Sequence, residues 1–335
     1  MAKNRVSHAR TEHKSRWPLA VFSVIAFMLV MALGTAGIFA LQLNNSFNKA
    51  EKLDNSAVFP EDSTRPEATE SGAQNILLLG SDSRAESDDT DLNDIRGERS
   101  DTIMVAHIAS DRKSVQVMSI MRDNWVEIPG HGMNKINAAM ALGGVPLTVQ
   151  TIEGILGVRI DHVAMIDFEG FAGLTDALGG VIVNNPIEFT GRGTHFAKGS
   201  IKLSGEDALK FVRERYSFRD GDYQRVRNQQ IFVNSVIKKI LSRDTLTSPS
   251  TINETVAAFA PFLKVDEGLS TSYLASLGMS MSSVRSDDIS FFTSPTLGTG
   301  MEGKQSVVKP DWEGLSEIAN HFQEDTLSEY TPTGK

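Results

Sequence analysis

The stretch Asn75-Ile76-Leu77-Leu78-Leu79-Gly80-Ser81-Asp82-Ser83-Arg84 decides how this chain folds. Four consecutive apolar residues stopped by glycine read as a strand in a buried sheet. Thr102 to Ala109 and Ser114 to Ile120, rich in Ile, Val and Met, extend the same sheet. Downstream, apolar residues recur with helical spacing over 136–142, 147–156, 168–178 and 205–214, with strands near 162–167 and 181–184. This alternation predicts an α/β fold with a mixed central sheet flanked by helices. The longest helix is expected over 223–241, with Val226, Gln230, Val233, Ile237 and Ile240 on one stripe. Further helices are expected over 251–262, 270–282 and 311–321.

Upstream of residue 75 the chain changes character. From Pro18 to Leu43 there are 26 residues without a charge, long enough to cross a hydrocarbon core about 30 Å thick as one transmembrane helix. Cleavage as a signal peptide near Gly34-Thr35-Ala36-Gly37 is the alternative. Residues 1 to 16 carry a net charge of +4, so the positive-inside bias places a basic segment, 1–17, in the cytoplasm and the rest outside the cell membrane. Polar residues with Pro60 and Pro66 make 44–74 an expected linker, 75–325 the folded domain and 326–335 a polar tail.

Composition removes several function classes. A net charge of −9, which becomes −13 beyond the basic segment, argues against nucleic acid as a partner. Without cysteine there is no disulfide framework, thiolate metal site or cysteine nucleophile. No phosphate-binding P-loop, G-x-S-x-G elbow or H-E-x-x-H zinc motif is present. Asp89, Asp91 and Asn93 have calcium-loop spacing, but Asp94 and Ser100 replace the required glycine and glutamate, which leaves a solvated acidic loop.

Arginine and aspartate recur where strands and helices end. The first strand releases the chain into Asp82 and Arg84, Arg99 and Asp101 introduce the second, and Arg122 and Asp123 follow the third. Ligands of open α/β sheets gather at such strand ends, whereas surface salt bridges are the plain alternative. A second cluster lies in Val212-Arg213-Glu214-Arg215 and Asp222-Tyr223-Gln224-Arg225, with Gln229 four residues beyond Arg225 on one helix face. Two residues apart on an α-helix point about 200° from each other, so Arg213 and Arg215 meet one ligand only if their helix stops between them. Asp222 is expected to cap the long helix, and Arg227 to lie on another face. Guanidinium groups grip phosphate oxygens bidentately at any relevant pH, and carboxylates among them suit Mg²⁺ bound with phosphate.

These residues resemble the LytR-CpsA-Psr family, along with Ile128-Pro129-Gly130, Lys135-Ile136-Asn137-Ala138-Ala139 and Asp176-Ala177-Leu178-Gly179-Gly180-Val181. The match runs in order over roughly 73–243, and departs at Met121, where the family usually has proline. The resemblance implies a membrane-anchored phosphotransferase that moves a glycopolymer from a polyprenyl pyrophosphate carrier to peptidoglycan with Mg²⁺. It implies Asp82 and Asp101 as metal or base positions, and Arg99, Arg122, Arg213, Arg215, Arg225 and Gln229 as pyrophosphate contacts, with Arg84 beside them. Asp222 is a third candidate base. The carrier's tail is expected to stay in or near the outer leaflet of the membrane lipid. Alternative readings are a lipid pyrophosphate hydrolase, or that activity on the side, and a non-enzymatic surface sensor or transcription attenuator. A cytoplasmic segment of about 16 residues is too short for a DNA-binding domain, which weighs against direct regulation.

Overall fold

The structure, a computed structural model, describes residues 40–68, 71–81, 100–242 and 248–332. Its centre is a seven-stranded mixed sheet: β1 (Glu51–Leu53), β2 (Gln74–Ser81), β3 (Ser100–Ile108), β4 (Val115–Ile120), β7 (His162–Asp167), β12 (Leu263–Asp266) and β13 (Ile289–Thr293), in spatial order β1-β12-β7-β2-β3-β4-β13. The pairs β2/β7, β4/β13 and β1/β12 are parallel and the remaining pairs antiparallel. β2 occupies the middle, as its uninterrupted apolar run requires. Leu77 and Leu79 enter the core on one face, while Ile76 and Leu78 pack on the other.

Two further helices precede the core: α1 (40–47) and the short α2 (Asn55–Val58). The core face of the sheet is covered by α3 (Ala138–Leu156), whose Met140, Val149, Ile152 and Leu156 bury against it, and by Ile318 and Phe322 of the C-terminal helix. The two helices expected over 136–142 and 147–156 are one element broken at Gly143 and Gly144, which leave helical geometry just before Pro146. Among the described residues α3 is the one helix long and apolar enough to cross a membrane, but half of it is buried in this core. The uncharged stretch 18–43 lies outside the described residues up to residue 39, and 40–43 begin α1.

The opposite face carries α4 (Phe168–Ala177), α5 (Gly205–Arg213), α6 (Asp222–Ile240), α7 (Pro249–Phe259) and α8 (Thr271–Ser280); the C-terminal helix (Trp312–Gln323) is α9. Small antiparallel pairs fill the gaps: β5 (Trp125–Ile128) with β6 (Gly132–Lys135), β8 (Val181–Asn185) with β11 (Gly199–Leu203), β9 (Phe189–Gly191) with β10 (Thr194–Phe196), and β14 (Thr296–Glu302) with β15 (Gln305–Pro310).

Two boundaries move. The expected linker contributes β1 to the sheet edge, and Val58 is fully buried. Arg65 reaches Glu153 of α3 through Nη2 at 2.7 Å and Nε at 3.0 Å, with both side chains almost inaccessible. Sparse apolar residues here pin a strap rather than form a core of their own, so the segment has no periodicity to read. Likewise the tail from 326 buries Leu327, and Tyr330 packs on Phe292 at 5.4 Å between ring centres.

Candidate active site

The loop after β4 is a turn closed by Asn124 N–H donating to Met121 O at 2.9 Å. Met121, where the family's proline would stand, is completely buried with Val226, Val308 and Tyr223, so side-chain packing holds a turn that proline would otherwise stiffen. The Lys135-Ile136-Asn137 motif fastens the same loop: Ile136 N–H donates to Asn124 O at 2.8 Å and Asn137 N–H to Arg122 O at 3.2 Å. Val308 N–H of β15 holds Asp123 O at 2.9 Å. The loop is thus tied on both sides before it presents a charge.

Facing it is the start of α6. Gly221 takes a positive φ of 41° at the N-cap position, which glycine adopts without a Cβ penalty, and Asp222 is the first helical residue. The expected cap is not made: the N-cap residue is Gly221, which has no side chain, and the Asp222 carboxylate, one position inside the helix, is engaged by arginines instead. Its Oδ2 lies 2.9 Å from Arg225 Nη2 and 3.4 Å from Arg122 Nε, and its Oδ1 lies 3.6 Å from Arg215 Nη1. Asp123 adds Lys135 Nζ at 3.1 Å and Arg122 Nε at 3.8 Å. Four cations therefore meet two carboxylates, an excess of positive charge suited to an anion.

Arg215 reaches the cluster because α5 stops at Arg213 and Glu214 is extended, with φ −72° and ψ 132°. Arg215 Nη2 also donates to the Tyr216 hydroxyl at 2.7 Å, with the guanidinium 4.7 Å from the ring centre. That bond, with the nearby charge of Arg215 itself and then of Arg192 and Arg122, holds the Tyr216 phenol below its ordinary pKa. Arg227 points elsewhere, bonded to Gln224 at 2.7 Å and to Asp220, as its helix position implies.

Of the expected site residues, Arg122, Arg215, Asp222 and Arg225 converge, Arg213 ends the adjoining helix, and Gln229 lies one turn beyond Arg225 with Nε2 donating to Val212 O at 3.4 Å. Asp82, Arg84 and Arg99 lie outside the described residues, as does the acidic loop. Asp101 is placed by its backbone alone: Gly80 pairs with Thr102 and Ser81 with Ser100, so Asp101 is the extra residue of a β-bulge. Among the described residues no group of three acidic or histidine side chains is gathered for a metal. Ser81, the last residue of β2, pairs with Ser100, the first of β3, so Asp101 lies at the end of the sheet where β2 finishes.

A feature absent from the sequence reading lies behind the arginines. An apolar cavity of about 710 Å³ separates the sheet from α6 and α7, within the range of roughly 300–1,000 Å³ usual for ligand pockets. Phe232, Val233, Val236 and Ile240 of α6 line it, and Gln229 and Val212 join its wall to the arginine cluster. The buried face of α6 is accordingly rotated from the expected stripe, toward Phe232 and Val236. Phe47 of α1 also lines it.

Residues 38–324 match the LytR_cpsA_psr family model. The polyisoprenyl-teichoic acid–peptidoglycan teichoic acid transferase TagU of Bacillus mycoides is 37% identical over 233 residues, covering 68% of this chain and 73% of that protein. The TagU of Enterococcus faecalis is 36% identical over 192 residues, 57% of this chain and 60% of that protein. Among solved structures, B. subtilis TagV aligns with a TM-score of 0.63 at 25% identity, covering 78% of this chain and all (100%) of that one. The LytR-Csp2A-Psr enzyme from Actinomyces oris shares the fold, with a TM-score of 0.62 at 22% identity over 81% of this chain and 95% of that one. Family model, relatives and fold agree, and this chain belongs to the LytR-CpsA-Psr family.

Proposed function

We propose that the protein is a membrane-anchored transferase that passes a glycopolymer from a polyprenyl pyrophosphate carrier to peptidoglycan. One observation carries this reading: an apolar cavity of about 710 Å³ whose wall continues through Gln229 into a cluster of guanidinium groups. A long hydrocarbon tail fits the first part and a pyrophosphate the second, and few ligands other than a lipid pyrophosphate need both. The tail would then enter the domain rather than remain wholly in the outer leaflet. The relatives' names, which specify a polyisoprenyl-linked donor and peptidoglycan, support the same substrates.

The chain's own groups account for most of the chemistry. Arg122, Arg215 and Arg225 hold the pyrophosphate oxygens and stabilise charge as an acceptor hydroxyl attacks the phosphorus bearing the sugar. Polyprenyl phosphate departs, the hydroxyl proton passes to one of the candidate bases Asp82, Asp101 and Asp222, and the new bond is a phosphodiester. Asp222 keeps the arginines together before the donor arrives. Asp82 and Asp101, the positions the family resemblance assigns, would hold Mg²⁺, since that ion favours one or two hard carboxylates together with phosphate oxygens; bound there, it would neutralise phosphate charge. The uncharged stretch 18–43 would tether the domain beside a membrane-confined donor and raise its effective concentration.

The test incubates the protein with Mg²⁺ and a radiolabelled lipid-linked glycan, with and without peptidoglycan. Label should move to peptidoglycan. Release of free glycan at an equal rate in both tubes would instead assign a hydrolase. Val236→Arg, which puts a charge into the cavity, should abolish binding of the lipid-linked glycan while leaving affinity for inorganic pyrophosphate unchanged.

A further inference from the structure

The backbone of Arg215 is set by a loop, 214–218, that leans on the short strand β9. Each of the three residues of β9 receives one residue of the loop. Phe218 packs edge-on against Phe189, ring centres 4.7 Å apart. The Ser217 hydroxyl donates to Thr190 O at 2.6 Å. Glu214 lies against Gly191 so closely that a Cβ there would stand 2.6 Å from its Cγ and 2.7 Å from its Oε2.

Glu214 is the odd member of this set. Its side chain is only 3% exposed, an expensive place for a carboxylate, and Arg192 Nε stands 4.0 Å from its Oε2. Its Oε1 accepts the Ser217 N–H at 2.9 Å, and so turns the chain back immediately after α5. Without that turn a continuing helix would send Arg213 and Arg215 to opposite sides, about 200° apart. A buried carboxylate spent on fastening three residues of loop is explained by what the loop carries.

We infer that Glu214 is a positioning residue for the donor: seated on Gly191 and closing the turn on Ser217, it aims Arg215 at the phosphate site. The inference rests on the reading of the arginines as the pyrophosphate site. It makes the β9–β10 hairpin, which lies outside the main sheet, a determinant of donor affinity. The two sides of the contact can be broken separately, from the loop by Glu214→Ala and from the strand by Gly191→Ala.

The experiment titrates the full-length protein with inorganic pyrophosphate and measures KM and kcat for the lipid-linked donor. Glu214→Ala and Gly191→Ala should each weaken pyrophosphate binding and raise the donor KM by about tenfold or more, approaching Arg215→Ala. Combining either with Arg215→Ala should add little, because both act through the same guanidinium. Glu214→Gln, which keeps an acceptor oxygen for the Ser217 N–H, should restore most of the affinity. A purely structural role predicts lowered melting temperatures in both variants with pyrophosphate affinity unchanged, and that result overturns the inference. So does failure of the Gln variant to rescue. If Arg215→Ala itself leaves affinity unchanged, the pyrophosphate reading fails first. Should Glu214→Ala not fold, Gly191→Ala and Glu214→Gln decide between the same outcomes.

Discussion

Replacing Asp222 by asparagine is the sharpest probe of the arginine cluster, because the change keeps the shape and removes one charge. The carboxylate is 14% exposed and lies 2.9 Å from Arg225, whose side chain is 6% exposed. At that depth a charge-assisted hydrogen bond contributes about 1.5–3 kcal/mol net. The contacts to Arg122 at 3.4 Å and Arg215 at 3.6 Å are longer and add less. Asparagine retains an acceptor but leaves guanidiniums that now repel one another, so a loss of about 2–3 kcal/mol is expected. For a domain of this size, roughly 2–4 °C per kcal/mol converts this to a fall in Tm of roughly 4–12 °C in phosphate-free buffer. Inorganic pyrophosphate should then restore more stability to Asp222→Asn than it adds to the wild type, since ligand stabilisation grows as affinity rises. Calorimetric melts of both proteins across a pyrophosphate series make the comparison. An unchanged Tm without phosphate would falsify the claim that this carboxylate gathers the arginines.

Other perturbations test the frame around the site. Glu153→Ala strands the buried Arg65 guanidinium and the Ile160 N–H that Glu153 accepts at 2.8 Å, so urea melts should lose about 3–5 kcal/mol; near-neutral behaviour would mean the 40–68 strap is dispensable. Phe232→Ala, at a fully buried position lining the cavity, should cost about 3–5 kcal/mol in the same assay, and a loss under about 1 kcal/mol would argue that the cavity collapses around the change. Burial raises the Asp266 carboxyl, but His162 and the N–H groups of Val163 and Gly268 outweigh it and hold the group below its ordinary 3.8. A folded-state pKa below the unfolded one gives stability that is present above about pH 3.8 and lost as pH falls through the folded value. Asp266→Asn should therefore flatten the acid limb of stability between pH 5 and 2, and an acid limb identical to wild type would remove Asp266 as its source.

What the sequence determined by itself were the elements whose physics is local. Asn75 to Gly80 is a central strand because only a strand covered on both faces wants an unbroken apolar run, and it sits mid-sheet with neighbours on either side. The end of α5 and the start of α6 were legible from Glu214-Arg215 and Asp220-Gly221-Asp222, and with them the meeting of Arg215, Asp222 and Arg225. Tertiary structure decided the rest. β1, β12 and β13 are three to five residues long, and their pairing depends on partners far away in sequence. Lys135 joins Asp123 in the site because β6 folds back onto the loop after β4, which no spacing rule states. The cavity was invisible for a deeper reason. Phe232, Val233 and Val236 form the same apolar face whether the space opposite is filled by side chains or left open. Periodicity reports which residues avoid water, and only packing in three dimensions decides what they face instead.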